Sequence, residues 1–175
     1  MSEATDQVCH DLLRPENPAE TGVIKMSYHF SLSEIADRWL ERNPDAQSRL
    51  HCLSITDSDS PTPQGYGENV SFATARADDL TGVGMKVNQI VGELGVNQTD
   101  ILVCLDSLDA MLMYTDTRTV FRFIRTISNF LSANDAQIHF HIDPSRDQQE
   151  LTTLKSAVNA IVEVDETGEA SIKVR

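Results

Sequence analysis

The chain has 175 residues, with 27 acidic side chains against 14 basic ones and a formal net charge of −13. Its 40% apolar and 23% charged content is that of a folded globular chain, long enough for one domain with a real core and short for two. The charge excludes non-specific nucleic-acid binding through a basic surface, and no apolar run approaches the ~20 residues that span a bilayer.

Residues 1–20 read as a flexible acidic arm ahead of an α/β domain over 21–175. Glu3, Asp6, Asp11, Glu16 and Glu20 alternate with Pro15 and Pro18, and Leu12 and Leu13 are the residues able to dock a short helix. A first strand is predicted over 23–26. Ser31 is a good N-cap, and Glu34 three residues later completes a capping box. Leu32, Ile35, Ala36, Trp39 and Leu40 then recur at helical spacing until Asn43-Pro44 stops the helix.

Residues 50–55 form a second strand, 57–68 a polar loop and 69–73 a short third strand. Asp78 or Asp79 caps a helix with Leu80, Val83, Val87, Ile90, Val91 and Leu94 on its apolar face, and Gly95 ends it. Residues 101–105 are apolar on both faces, as in a central strand of a parallel sheet covered by helices. Asp116 opens a helix that buries Val120, Phe123, Ile124, Ile127 and Leu131. A strand over 137–142 follows, then a helix opened by Pro144 and Asp147 and running to about 158. Strands over 161–164 and 170–174, joined by a turn at Asp165-Glu166-Thr167-Gly168, form a hairpin that adds an antiparallel edge. The alternation predicts a three-layer α/β domain with a mostly parallel sheet, right-handed crossovers and a C-terminal antiparallel hairpin.

Cys9, Cys52 and Cys104 are far apart and show neither metal spacing nor a disulfide framework, which suits a reduced, cytoplasmic protein. Cys9-His10 is an adjacent pair with no further ligand near it in sequence. Gly82-x-Gly84 lacks the third glycine of a dinucleotide fingerprint. Arg118, Arg122 and Arg125 form a stripe on one helix that is a candidate contact for an acidic partner or a second subunit.

The run Ile101-Leu102-Val103-Cys104-Leu105-Asp106-Ser107 resembles the Walker B strand of RecA-like ATPases, whose terminal carboxylate holds magnesium. With the helix from Asp116, the strand His139-Phe140-His141-Ile142-Asp143 and the hairpin, the chain over 20–175 resembles the KaiC-like and gas-vesicle-regulator-like branch of the RecA superfamily in halophilic archaea. The resemblance implies a three-layer RecA-like core. It makes Asp106, Ser107 and Asp57, with Asp59 beyond it, remnants of a nucleotide and magnesium site, and His139, His141 and Asp143 remnants of a sensor. His139, His141 and Asp143 also alternate along one strand and would share a face, a conceivable metal set that hydrogen bonding explains more simply. The phosphate loop is what the sequence lacks. The junction Ser27-Tyr28-His29-Phe30-Ser31-Leu32-Ser33 has no glycine and no lysine, so it offers none of the parts that surround and neutralise phosphates. Lys155-Ser156 sits inside a helix with no glycine loop before it.

The expected function is therefore that of a non-catalytic domain, a pseudo-ATPase acting in regulation or signalling through a protein partner, with no cofactor, no metal and no membrane. A homo-oligomer is compatible with this. The alternative is an ATPase with ATP and magnesium at an atypical site, or at one completed by a partner subunit.

Only four of the 14 basic residues are lysines, and acid excess with arginine preferred suits a salt-rich cytosol, where carboxylate repulsion is screened. The melting temperature is expected to rise from low to molar salt by about 2–4 °C or more, the shift that roughly 1 kcal/mol produces in a chain of this size. A flat or falling melting temperature would contradict the halophilic reading.

Overall fold

The computed structural model describes residues 3–44, 47–58, 61–95, 100–165 and 167–174. Asp59 and Glu166 lie outside the described residues. The chain opens with α1 (Glu3–Leu12) and a 3-10 turn at Pro18–Glu20, followed by β1 (Thr21–Ser27), α2 (Leu32–Arg42), β2 (Arg49–Ile55) and β3 (Val70–Ala75). Next come α3 (Leu80–Leu94), β4 (Asp100–Asp106), α4 (Leu108–Met111), α5 (Thr117–Ser132), β5 (Ala136–Phe140) and α6 (Gln148–Lys155). The chain ends with β6 (Ala160–Val164) and β7 (Ala170–Val174).

β1 to β5 form one parallel sheet in the order β3-β2-β1-β4-β5, the Rossmann-like doubly wound order. The fold is the expected α/β class, with helices on both faces and an antiparallel hairpin at the C-terminus. The sequence suggested that the hairpin adds an antiparallel edge to the sheet, and it does not. β6 and β7 pair as a separate two-stranded sheet.

Side-chain alternation divides the core in two. Ile24, Met26, Leu53, Ile55, Val103 and Leu105 point to the face packed by α3, α5 and α6. Val23, Leu50, Cys52 and Cys104 point to the other face, where they meet Leu32, Ile35, Ala36 and Trp39 of α2 together with Cys9 and Leu13. Gly22 lets α3 approach β1, because a Cβ there would lie 2.8 Å from a methyl of the buried Leu94.

Residues 3–12 form a short helix, docked through Leu13 as the sequence allowed. Cys9 and Leu13 are 5% and 1% exposed, and burying them anchors a segment whose charge alone argued for solvent. Asp6 accepts from Arg38 on α2 at 3.1 Å, Arg42 donates to the Asp6 carbonyl at 3.0 Å, and His10 meets Asn43 at 3.2 Å. Among the described residues no helix is long and apolar enough to cross a membrane.

The helix caps follow the sequence. Ser31, Asp79, Asp116 and Asp147 accept from backbone N–H groups at the starts of α2, α3, α5 and α6. The short α4, capped by Ser107, has no periodic signal and was not anticipated.

His51 on β2 is buried, and desolvation lowers its pKa below the ordinary histidine value. The group is neutral in the fold and easier to protonate when unfolded. Its stabilising contribution is therefore full above the unfolded pKa near ~6.5 and is lost as the pH falls towards the folded value. Unfolding followed from neutral pH to mildly acidic pH is expected to show falling stability over this range, and His51→Leu is expected to flatten that slope.

Candidate functional site

In a doubly wound sheet, ligands bind beyond the carboxyl ends of the strands where the order reverses. Here that point lies between β1 and β4, and Ser27 pairs with Asp106 across it. The Tyr28 N–H donates to the Asp106 carbonyl at 2.8 Å and holds the two strand ends together.

The junction after β1 is already filled by its own side chains. The Ser27 hydroxyl accepts from the N–H groups of His29 at 3.0 Å and Phe30 at 3.1 Å. The Ser54 hydroxyl donates to the Phe30 carbonyl at 2.9 Å. Ser31 then caps α2, accepting from the Glu34 N–H at 3.4 Å, while Glu34 Oε2 accepts from the Ser31 hydroxyl at 2.6 Å and from its N–H at 2.9 Å. A carboxylate thus lies at the helix terminus where an anion would sit. Arg38 stacks over the Phe30 ring, with its guanidinium carbon 4.3 Å from the centroid.

Asp106 is half-buried and lines a cavity of about 50 Å³ together with Lys25, Ser27, Cys104 and His141. Ser107 is buried and engaged, since its hydroxyl accepts from the Ala110 N–H at 3.3 Å and meets His29 Nε2 at 3.3 Å. Asp57 is exposed beyond β2, and its charge acts on Arg76, which holds Asp78 through two contacts of 3.0 Å. Arg118, Arg122 and Arg125 are exposed on α5, which packs on the sheet face opposite α1 and α2, and among the described residues no ion pair uses them.

The expected set of His139, His141 and Asp143 divides. β5 ends at Phe140, so Asp143 turns away into an exposed loop, where it accepts from the Ser145 N–H at 2.7 Å and its own N–H donates to Asp109 at 2.8 Å. His139 and His141 stay together, with ring centroids 5.3 Å apart. They meet two cysteines that the sequence kept separate. Cys104 pairs in register with His139, and α1 brings in Cys9. The Cys9 thiol is held far below its ordinary range by the hydrogen bond with Cys104 and by both imidazoles, against desolvation. The same Cys9 contact and complete burial push the Cys104 thiol up. Donor atoms of Cys9, Cys104, His139 and His141 lie within 4.8 Å of one another, so this group has the composition and convergence to hold a metal. Cys104 and His139 are 95 and 130 residues from Cys9, so the alternation of His139 with His141 is legible in the sequence but no local spacing adds the two cysteines to it.

Residues 1–164 match the model of a family of unknown function, DUF7504, and the chain belongs to that family. No curated protein matches the chain. Among solved structures, a short-chain dehydrogenase from Leptospira borgpetersenii serovar Hardjo-bovis (strain JB197), solved with bound NAD+, is similar at 12% identity and a TM-score of 0.34. The match covers 70% of this chain and 48% of that one, so the chain spans about half the dehydrogenase's length. A likeness of that size leaves the NAD+ with the dehydrogenase.

Hydrogen bonds from the Ser31 hydroxyl and then from its N–H hold the Glu34 carboxyl below its ordinary pKa. Its stabilising contribution is present above the unfolded value and is lost as the pH falls through the folded one. Ser31→Ala is expected to return the Glu34 pKa towards the ordinary carboxylate range in an NMR titration. Losing the cap is expected to cost about 1 kcal/mol of stability in denaturant.

Proposed function

We propose that this member of the family is a non-catalytic domain on a nucleotide-binding-type scaffold, the RecA/KaiC-like pseudo-ATPase of the sequence resemblance. It acts in regulation or signalling in a salt-rich cytoplasm, through protein contacts. One observation carries the reading: four backbone N–H groups after β1 are already bonded within the junction, those of His29 and Phe30 to Ser27, that of Glu34 to Ser31 and that of Ser31 to the Glu34 carboxylate. A nucleotide phosphate placed there would have to displace these bonds and face a negative charge within a chain of net charge −13. The exposed guanidinium groups of Arg118, Arg122 and Arg125 supply the contact surface, a local positive stripe suited to an acidic partner or to the acidic surface of a second copy.

Asp106 favours a second reading, because its carboxylate stands at the switch point where magnesium would be held. In that reading a partner subunit supplies the missing phosphate contacts. Without them, each absent charged contact costs ~2–4 kcal/mol of transition-state stabilisation, and two or three such losses leave no measurable turnover.

Calorimetric titration of the full chain with ATP and magnesium in high salt, with a phosphate-release assay, tests the proposal. The expected outcome is affinity weaker than ~1 mM and no turnover, in both the wild type and Asp106→Ala. Micromolar binding or turnover that Asp106→Ala removes would replace the pseudo-ATPase with the ATPase.

A further inference from the structure

The cluster of Cys9, Cys104, His139 and His141 has no part in the reading above. We propose that these four side chains bind one zinc ion, through the two Sγ atoms and the two Nε2 atoms, and that the ion fastens α1 to the sheet.

The donor set suits zinc. Two thiolates and two imidazoles make a closed, four-coordinate structural site for a tetrahedral dication. The distances suit it as well. Bonds of ~2.3 Å to sulfur and ~2.0–2.1 Å to nitrogen, at tetrahedral angles, set S···S at about 3.8 Å and S···N at about 3.5 Å. In the structure Cys9 Sγ is 3.6 Å from Cys104 Sγ and 3.3 Å from His139 Nε2, and Cys104 Sγ is 3.5 Å from His141 Nε2. A disulfide would need its sulfurs at ~2.05 Å, far closer than these. Thiols are weak hydrogen-bond donors, so mutual hydrogen bonding is a poor reason for four such groups to converge from α1, β4 and the end of β5.

Charge is accommodated. The ion takes both sulfurs as thiolates, any thiol proton still held goes to solvent, and two thiolates with two neutral imidazoles around a dication leave the site neutral. Lys25 and Asp106 line the adjoining cavity with opposite charges. The site also explains how α1 is held. Apart from Cys9 and Leu13, α1 lies against β6 and is tied to α2 through contacts such as the Asp6 pairs with Arg38 and Arg42, and solvent-exposed pairs of that kind contribute little. A metal joining Cys9 to Cys104 closes a loop across 95 positions of sequence and covers the β4–β5 side of the sheet.

The full chain, made without a histidine tag and kept reduced, is assayed for metal after dialysis against a weak chelator. One zinc per chain is expected. Cobalt(II) in its place is expected to give tetrahedral d–d bands with thiolate charge-transfer absorption. Cys104→Ser and His139→Gln are each expected to lose about a hundredfold or more in zinc affinity, beyond what outer-shell partners carry, while Cys52→Ala keeps it. Removing zinc is expected to speed hydrogen exchange over residues 3–12 and leave β1 and β4 protected. If Cys104→Ser does not fold, His139→Gln on the half-buried edge strand and the wild-type cobalt spectrum decide. Reduced, folded protein that takes up neither metal overturns the proposal. So does an octahedral cobalt spectrum, uptake indifferent to His139→Gln, or a Cys9–Cys104 disulfide in the protein as purified.

Discussion

A parallel sheet is apolar on both sides and needs a helical layer on each. In this chain the two layers are unequal. α3, α5 and α6 cover one face, and α3 and α5 bring long amphipathic stripes such as Val83-Val87-Ile90-Leu94 and Val120-Ile124-Ile127-Leu131. On the other face α2 lies against β2 and β3, which leaves β4 and β5 to the N-terminal helix. Covering this second face is the constraint from which the rest follows. It recruits a charged segment into the fold through Cys9 and Leu13, and it brings Cys9 to a strand nearly a hundred positions away.

The same face carries a row of paired positions across the sheet: Phe72, Cys52, Lys25, Cys104 and His139. Burial pushes the Cys52 thiol up to about 12, and the Lys25 charge only partly offsets this. Cys52 is therefore an inert core residue, whereas Cys104, two strands along the same row, meets Cys9 and two imidazoles. Residue type and strand position are shared, and the neighbours make the difference.

At the switch point the controlling fact is that each backbone N–H has one proton to give. Ser27 takes the protons of His29 and Phe30 for the turn, Ser31 takes that of Glu34 for the cap, and the Glu34 carboxylate takes that of Ser31. Asp106 keeps its place at the end of β4, but the hydroxyl next to it serves α4. A Rossmann-like strand order and the absence of a phosphate loop are thus compatible, because strand order depends on apolar pairing and phosphate binding on a few free N–H groups.

Much of this was legible in the chain. Caps at Ser31, Asp79, Asp116 and Asp147, the buried strand ending at Asp106 and the missing phosphate loop are local facts, set by neighbours within a few residues, and the structure places each of those elements within a few positions of its expected bounds. The exposure of Arg118, Arg122 and Arg125 follows equally from helical period. Other features were not legible. The arm over 1–20 reads as solvated from its charge, and only the open sheet face gives Cys9 and Leu13 something to be buried against. Asp143 shares alternation with His139 and His141, but β5 ends before it and the parity no longer holds. The sequence by itself determined where helices and strands start and which phosphate contacts are missing, because those depend on hydrogen bonds and periodicity over one or two turns. Tertiary structure alone decided that β1 pairs with β4, that the hairpin forms a sheet of its own, and that two cysteines and two histidines from three separate segments converge, because pairing and packing act between residues that sequence spacing does not relate.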